Sequence, residues 1–298
     1  MQGDRTIHLP VMTTELVAHL RPARECTYVD ATAGAGGHTE AILRASDPDG
    51  RVFCLDADPD AVQRLEQTLQ PFRHRALCRP GNFAHVATLA ADAGFSDVAG
   101  IIFDLGFSSF QIDDSARGFS FQLDGPLDMR YDRSSGPTAA DVVARTPQKE
   151  LADIIFEYGD ERRSRRIARE IVDRRSRSPI TTTADLAGIV ARAHGGRRAR
   201  IHPATRTFQA LRIYVNRELD NLQSGLAGAL ELLVGGGRIV VISFHSLEDR
   251  IVKNFFRDHA RAGRLEILTP KPLRPGANET STNPRSRSAR LRAARLVG

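Results

Sequence analysis

Cysteine is scarce in this sequence, and its spacing excludes the common metal and redox motifs. Only three cysteines occur among 298 residues. Cys26, Cys54 and Cys78 are too far apart for a C-x-x-C motif, and the histidines show no H-x-x-x-H spacing. We therefore expect no metal site. Cys54 and Cys78 fall in strand-like runs, which favours the interpretation that they pack as small buried hydrophobic residues.

Long apolar runs are also missing. A helix that crosses a bilayer needs about 20 predominantly apolar residues, and no segment approaches that length. The polar segment 1–10 contains no apolar core of a secretory signal. The hydrophobic fraction of 41% and the charged fraction of 26% are typical of a soluble globular protein. These features predict a cytoplasmic protein without a membrane partner, folded as one large domain or two smaller ones.

Lysine is the third scarce residue, since only three of the 42 basic residues are lysines. A GC-rich genome could produce this arginine bias without a functional cause. The distribution is more informative than the net charge of +6: eight arginines lie between Arg162 and Arg177, and five between Arg285 and Arg295 without an acid among them. Such clusters are typical of phosphate-binding surfaces. A solvated helix face is the alternative for each cluster.

Strands and helices alternate in the first hundred residues. Predicted strands end at Asp30 and span Arg51–Asp56, Arg75–Cys78 and Gly100–Asp104, with helices at His38–Arg44 and Pro59–Leu69 between them. This order predicts an α/β fold with a parallel, doubly wound sheet.

The middle of the chain has a different pattern, because strand-like runs are rare between residues 111 and 216. Helices are predicted there at Ala139–Ala144, Gln148–Glu157, Glu161–Arg175, Thr183–Ala193 and Ala204–Leu222. Strands return at Gly237–Phe244, after a turn at Gly235–Gly237, and at Leu265–Leu268. We predict a core formed by 1–110 and 217–298, ending in a basic C-terminal tail, with 111–216 as an all-helical insertion.

A glycine-rich turn in segment 28–38 (YVDATAGAGGH) joins the first strand to a helix. Such a turn lets a ligand approach the backbone, and Asp56, about 20 residues on, can accept ribose hydroxyls. A dinucleotide site requires glycine where Thr39 stands, and the charge of Asp30 would repel a pyrophosphate. The same charge could hold the amino group of S-adenosyl-L-methionine, which favours that cofactor. A purely structural turn with two solvated carboxylates is the alternative.

Three further side chains follow strands at the edge where ligands bind in open α/β sheets. Phe83 could flank an adenine or pack in the core. Asp104 could accept a hydrogen bond from a substrate amine and stabilise its developing positive charge, or contact the cofactor. His245 could contact RNA or fix its own loop through Glu248 or Asp249.

Several longer strings give the sequence a specific resemblance. The chain resembles the RsmH (MraW) family of small-subunit ribosomal RNA cytosine-N4 methyltransferases. The match runs nearly end to end and includes DATAGAGGHT (30–39), DLGFSSFQID (104–113), RGFSF (117–121), DGPLDMR (124–130), YGDER (158–162), HPATRTFQALR (202–212), SFHSLEDR (243–250) and NPRSRS (283–288).

The resemblance implies a Rossmann-like class I methyltransferase sheet with a helical insertion for substrate recognition. It implies methyl transfer from S-adenosyl-L-methionine to a cytidine in the decoding region of 16S ribosomal RNA, either naked or in the small subunit. Asp104 is the catalytic candidate. The cofactor contacts that the family implies are Gly36, Gly37, His38, Asp56, Phe83, Asp104 and Gln111.

Two departures lie beside the expected target pocket. The family usually has a small aliphatic residue at the position of Phe107 and proline at that of Phe110. These departures bear on the geometry of the substrate. Within methyltransferases, a DNA or small-substrate enzyme is the main competing function, and an NAD-dependent oxidoreductase and a non-catalytic RNA-binding protein are the competitors from other classes. The oligomeric state is open, with a homodimer as one alternative.

Overall fold

The protein forms two compact units, described here from a computed structural model that covers residues 10–195 and 202–298. The first unit combines Met1–Gly106 with Leu219–Gly298, and the second is Phe107–Glu218. The predicted boundaries, at 110/111 and 216/217, lie within a few residues of these limits.

A seven-stranded sheet forms the centre of the first unit. Its strands are β1 (Thr27–Asp30), β2 (Arg51–Asp56), β3 (Ala76–Pro80), β4 (Val98–Asp104), β5 (Leu233–Ser243), β6 (Leu265–Ile267) and β7 (Arg290–Leu296). They lie in the order β3-β2-β1-β4-β5-β7-β6. The first five are parallel, and β7 is antiparallel to both of its neighbours. The strand order reverses at β1, and ligands bind beside such a switch point, outside the carboxyl ends of the strands.

Helices cover both faces of this sheet. They are α1 (Thr13–Leu20), α2 (Gly37–Ala45), α3 (Pro59–Thr68), α4 (Val86–Asp92), α11 (Glu218–Leu232) and α12 (Ser246–Arg261). A short helix without buried residues, α13 (Ala277–Thr282), lies between β6 and β7 in the chain. Side chains alternate along a strand, so Val29 and Phe53 pack with residues of α4, α11 and α12, whereas Tyr28 and Val52 pack with residues of α1, α2 and α3. Burial on both faces explains why the parallel strands are almost continuously apolar. The predicted α/β class is confirmed.

The second unit is helical, as predicted. Its helices are α5 (Ser109–Asp113), α6 (Ala139–Arg145), α7 (Gln148–Gly159), α8 (Ser164–Arg175), α9 (Thr183–Ala193) and α10 (Ala204–Asn216). They enclose a separate apolar core that includes Leu151, Ile167, Leu186 and Phe208. Each of these side chains is at most 4% exposed, so the unit has a core of its own.

The predicted helix Ala204–Leu222 is wrong, because the chain breaks it at Arg217. That residue has a left-handed φ of 50°, which ends α10 before α11 begins at Glu218. The structure also differs from the predicted turn at Gly235–Gly237. These glycines lie within β5, where the register slips from Val98 opposite Leu233 to Gly100 opposite Arg238.

The segment predicted as a basic tail is largely a strand inside the sheet. In β7, Arg292 is 7% exposed and Arg295 pairs with Glu266. Asp249 of α12 accepts hydrogen bonds from Arg292 at 2.7 Å and from Arg290 at 3.1 Å. Acids of the same unit therefore pair with the arginines of β7. Of the five arginines in the segment, Arg285 and Arg287 lie before the strand.

Two further observations concern membrane helices and thiols. Among residues 10–195 and 202–298, no helix combines the length and apolar character that a bilayer span requires. Cys54 and Cys78 are buried at paired positions of β2 and β3, as expected of small hydrophobic residues. Cys26 is half-buried, and all three thiols are free.

Asp249→Asn should destabilise the protein by about 3 to 5 kcal/mol, because it leaves Arg292 buried without its counter-charge. Urea unfolding at neutral pH measures the change. Glu266→Gln is the matched control. It removes the partner of Arg295, which lies in the same strand as Arg292, but the side chains of Glu266 and Arg295 are both about half exposed. That control should cost less than about 1 kcal/mol. Equal effects of the two substitutions would contradict the assignment of Asp249 as the anchor of β7.

Candidate active site at the carboxyl edge of the sheet

The glycine-rich turn lies between β1 and α2. Gly34 and Gly36 have φ values of 50° and 88°, and Gly36 occupies the N-cap position of α2 without any side chain capping the helix. A Cβ atom on Gly36 would lie 2.7 Å from Leu65, and one on Gly37 would lie 2.8 Å from Pro10. The turn therefore requires glycine, and its amides at the start of α2 are open to a ligand.

Asp56 ends β2 and holds this turn in place. Its two carboxylate oxygens accept hydrogen bonds from the amides of Gly34 and Asp58, each at 2.9 Å. Burial raises the pKa of Asp56 to about 6. Each oxygen keeps a second lone pair, so the carboxylate can still accept hydroxyl groups of a ligand.

Asp30 ends β1 and is only 1% exposed. It accepts hydrogen bonds from the Thr39 hydroxyl at 2.6 Å and from the Thr32 amide at 3.2 Å. Burial raises the pKa of Asp30 to about 6. In the sequence Thr39 served only as evidence against a dinucleotide site. The structure gives this residue a second role, because its hydroxyl orients the buried carboxylate.

Asp104 ends β4 and faces His38 of α2. The Asp104 amide donates to the Thr32 hydroxyl at 2.6 Å, a contact that fixes the end of the strand. Asp104 Oδ2 lies 3.3 Å from His38 Nε2, within ion-pair distance but without hydrogen-bond geometry. His38 is 5% exposed. Burial lowers the pKa of His38, but Asp104 and Asp30 outweigh that effect and raise it.

Three atoms of this pair have no hydrogen-bond partner in the described part of the chain. They are Asp104 Oδ1, His38 Nδ1 and His38 Nε2, and all three are buried. A buried polar atom without a partner costs about 1 to 3 kcal/mol. Such atoms beside an open glycine turn mark a place where a polar ligand would be stabilised.

Phe83 follows β3 and packs at the border of the core. Its ring meets Phe103 edge to face at a centroid distance of 5.7 Å. Gly225 of α11 leaves room for it, since a Cβ atom there would lie 2.8 Å from the ring. Phe83 is only partly buried. The packing alternative is therefore realised, and a contact with adenine stays a prediction.

His245 caps α12 rather than standing free. Its Nδ1 accepts a hydrogen bond from the amide of Glu248. The Glu248 carboxylate in turn accepts hydrogen bonds from the amides of Phe244 and His245. His245 Nε2 lies 3.0 Å from the same carboxylate. Of the two alternatives for His245, the structure favours the loop-fixing one, through Glu248. Asp249 pairs with the arginines of β7 instead.

Gln111 and Phe107 belong to the second unit. Gln111 is 4% exposed and forms a capping box with Ser108 at the start of α5. The Phe107 ring has Arg212 over it at 4.7 Å and stacks with Phe119 at 6.1 Å. Phe107 is therefore engaged in packing. The contact of Gln111 with the cofactor stays a prediction.

The chain is similar to known proteins over nearly its whole length. The model of the MraW methylase family matches residues 5–297. The ribosomal RNA small subunit methyltransferase H of Thermomicrobium roseum is 53% identical, covering 98% of this chain and 94% of that protein. Its namesakes from Syntrophobacter fumaroxidans and Nitrobacter winogradskyi are each 48% identical, over 99% and 96% of this chain and 98% and 90% of theirs.

Similarity to solved structures is lower. An O-methyltransferase from Bacillus cereus in complex with SAH matches with a TM-score of 0.48 and 10% identity, over 98% of this chain and 84% of that one. The nearly full-length family match and the level of identity to the relatives are decisive. The chain belongs to the MraW methylase family, and its cofactor is S-adenosyl-L-methionine.

Proposed function

We propose that this protein transfers a methyl group from S-adenosyl-L-methionine to the N4 amine of a cytidine in the decoding region of 16S ribosomal RNA. The names of the relatives support small-subunit ribosomal RNA as the substrate. The observation that carries the choice of an amine is the buried, unpartnered Oδ1 of Asp104 at the end of β4. A carboxylate oxygen in that position can accept a hydrogen bond from an exocyclic amine.

The residues at the sheet edge fit the cofactor. The first amides of α2, from Gly37 on, and the carboxylate of Asp56 supply donors and acceptors for its polar groups, and Asp30 supplies a negative charge for its ammonium. When bound, the sulfonium supplies an electrophilic methyl group. The proposed contacts are those of Gly36, Gly37, His38, Asp56, Phe83, Asp104 and Gln111.

The chemical problem for this site is the weak nucleophilicity of the cytosine amine, whose lone pair is delocalised into the ring. Asp104 Oδ1 accepts a hydrogen bond from the amine, orients it and stabilises the positive charge that develops on nitrogen. Asp104 Oδ2 faces His38. His38 thereby directs Oδ1 toward the substrate.

The test of this function is a nucleoside-resolved assay. The purified protein is incubated with S-adenosyl-L-methionine and either naked 16S ribosomal RNA or small subunits from cells that lack the gene. The RNA is then digested and analysed by mass spectrometry. We expect N4-methylated cytidine at one position in the decoding region. Methylation on carbon 5, or on a base outside that region, would refute the proposal.

A pair of variants separates catalysis from cofactor binding. Asp104→Asn should slow single-turnover methyl transfer by about a hundredfold or more at saturating cofactor, because it removes a charge that acts in the transition state. Asp56→Ala should mainly weaken cofactor binding, since it removes charge-assisted hydrogen bonds worth roughly 1.5 to 3 kcal/mol each.

Calorimetry and single-turnover rates on both variants distinguish these roles. The rate of Asp56→Ala should largely recover at saturating cofactor. If the rate of Asp104→Asn recovers in the same way, Asp104 serves the cofactor, and its role at the amine is disproved.

Burial of the Asp30 carboxylate for a cationic ligand should destabilise the protein when no cofactor is bound. Folding raises the pKa of Asp30 from 3.8 to about 6, so the folded state holds the proton more tightly than the unfolded state. The stability of the protein therefore falls as the pH rises from about 4 through 6. At about 1.4 kcal/mol per pKa unit, the full effect is roughly 3 kcal/mol.

Asp30→Asn isolates this effect, because asparagine does not titrate. Relative to wild type, the stability of the variant without cofactor should improve by about 2 kcal/mol between pH 4 and pH 7.5, as measured by urea unfolding. Comparing two pH values cancels any constant change in hydrogen bonding. A difference independent of pH would show that Asp30 is not buried as a charge.

A further inference from the structure

The segment from Arg162 to Arg177, which contains α8, has an unusual charge. Its eight arginines and two acids give it a formal charge of +6, which equals the net charge of the whole chain. Outside this segment, positive and negative charges therefore balance. This one segment of the second unit carries the excess.

Three of these arginines donate hydrogen bonds to backbone carbonyls of the helical unit. Arg163 donates to the carbonyl of His194 at 2.7 Å, and Arg175 donates to the carbonyl of Val143. Arg174 donates to the carbonyl of Ser178 at 2.8 Å. These guanidinium groups satisfy backbone acceptors of the protein itself. They are not available as a free binding surface.

Four others form a separate set, which we call the α8 ridge: Arg162, Arg165, Arg166 and Arg169. All four are exposed. Within 10–195 and 202–298, none of them has a hydrogen bond or an ion pair. Arg162 lies in the turn before α8. Arg165 and Arg166 lie four and three residues before Arg169, which places these three on one side of α8, opposite the buried Ile167, Ala168 and Ile171.

The α8 ridge is not neutralised by nearby acids. Glu170 and Asp173 lie on the same helix, and Glu150, Asp153 and Glu157 lie on α7, which packs against α8. In the part of the chain that the structure describes, none of these acids forms an ion pair with the ridge. Like charges three or four residues apart cost a helix about 0.2 to 0.5 kcal/mol per pair. The helix retains this repulsion without an internal partner.

We propose that the α8 ridge binds the phosphate backbone of the RNA substrate. This proposal rests on the proposed function. From Arg165 to Arg169 the ridge extends about 6 Å along the helix, with Arg162 in the preceding turn, and arginine binds phosphate through two parallel hydrogen bonds. Backbone contacts of this kind position an RNA without reading its sequence. The ridge therefore contributes affinity and orientation, while the choice of base belongs to the sheet edge.

The test replaces all four ridge arginines by glutamine, which keeps the helix propensity and removes the charge. The matched control is R24Q/R51Q/R261Q/R264Q, which removes four exposed arginines of the first unit. Arg51 and Arg264 lie at or just before the amino ends of β2 and β6. Circular dichroism and urea unfolding check that both variants fold.

Binding to a 16S ribosomal RNA fragment is then measured over a series of salt concentrations. Each lost phosphate contact should reduce the slope of log affinity against log salt by about 0.7 to 0.9, so the loss of all four should reduce it by roughly 2.8 to 3.6. The control should retain the wild-type slope. In steady state, the ridge variant should raise KM with little change in kcat.

Two outcomes would overturn the proposal: a wild-type slope in the ridge variant, or an equal loss in the control, which would indicate a general effect of net charge. A failure of the proposed function is distinguishable. In that case the wild-type protein makes no N4-methylated cytidine, whereas the slope measurement still reports whether the ridge binds RNA.

Discussion

The cost of burying carboxylates at the ends of parallel strands is the constraint on which this site depends. Asp30, Asp56 and Asp104 each end a strand, and burial raises the pKa of the first two to about 6. The glycine turn supplies an amide to Asp56, Thr39 a hydroxyl to Asp30, and His38 a nearby imidazole to Asp104. The local sequence thus compensates each buried charge only in part. The remaining acceptors are available to a cationic cofactor and an amine.

Much of the first unit could be predicted from the sequence, because its parallel strands are short apolar runs that end in an acid or precede a glycine turn. The limits of β2 were predicted to the residue. β7 was missed because its alternating arginines suggest a solvated tail. Only the fold supplies Asp249 as their partner, and no local pattern shows a contact between residues more than forty positions apart. The break at Arg217 was missed for a similar reason, since no glycine or proline marks it.

The candidate site was predictable in its positions but not in its contacts. Glycines after β1 and acids after β2 and β4 follow from general rules for open sheets. The proximity of His38 to Asp104 and the hydroxyl contacts of Thr39 and Thr32 depend on how α2 packs on the sheet, which one sequence does not reveal. The arginine segment at 162–177 had two interpretations in the sequence. Its division into inward-bonded and free side chains required the structure.

The position of β7 has a consequence for the order in which the chain can fold during synthesis. β7 follows β6 in the chain, yet it lies between β5 and β6 in the sheet. β6 therefore has no strand to pair with until β7 has left the ribosome, and until then β5 presents an open edge. Unpaired edges of this kind promote aggregation. Nascent chains of this protein should accordingly need protection at β5 until the last strand has been made.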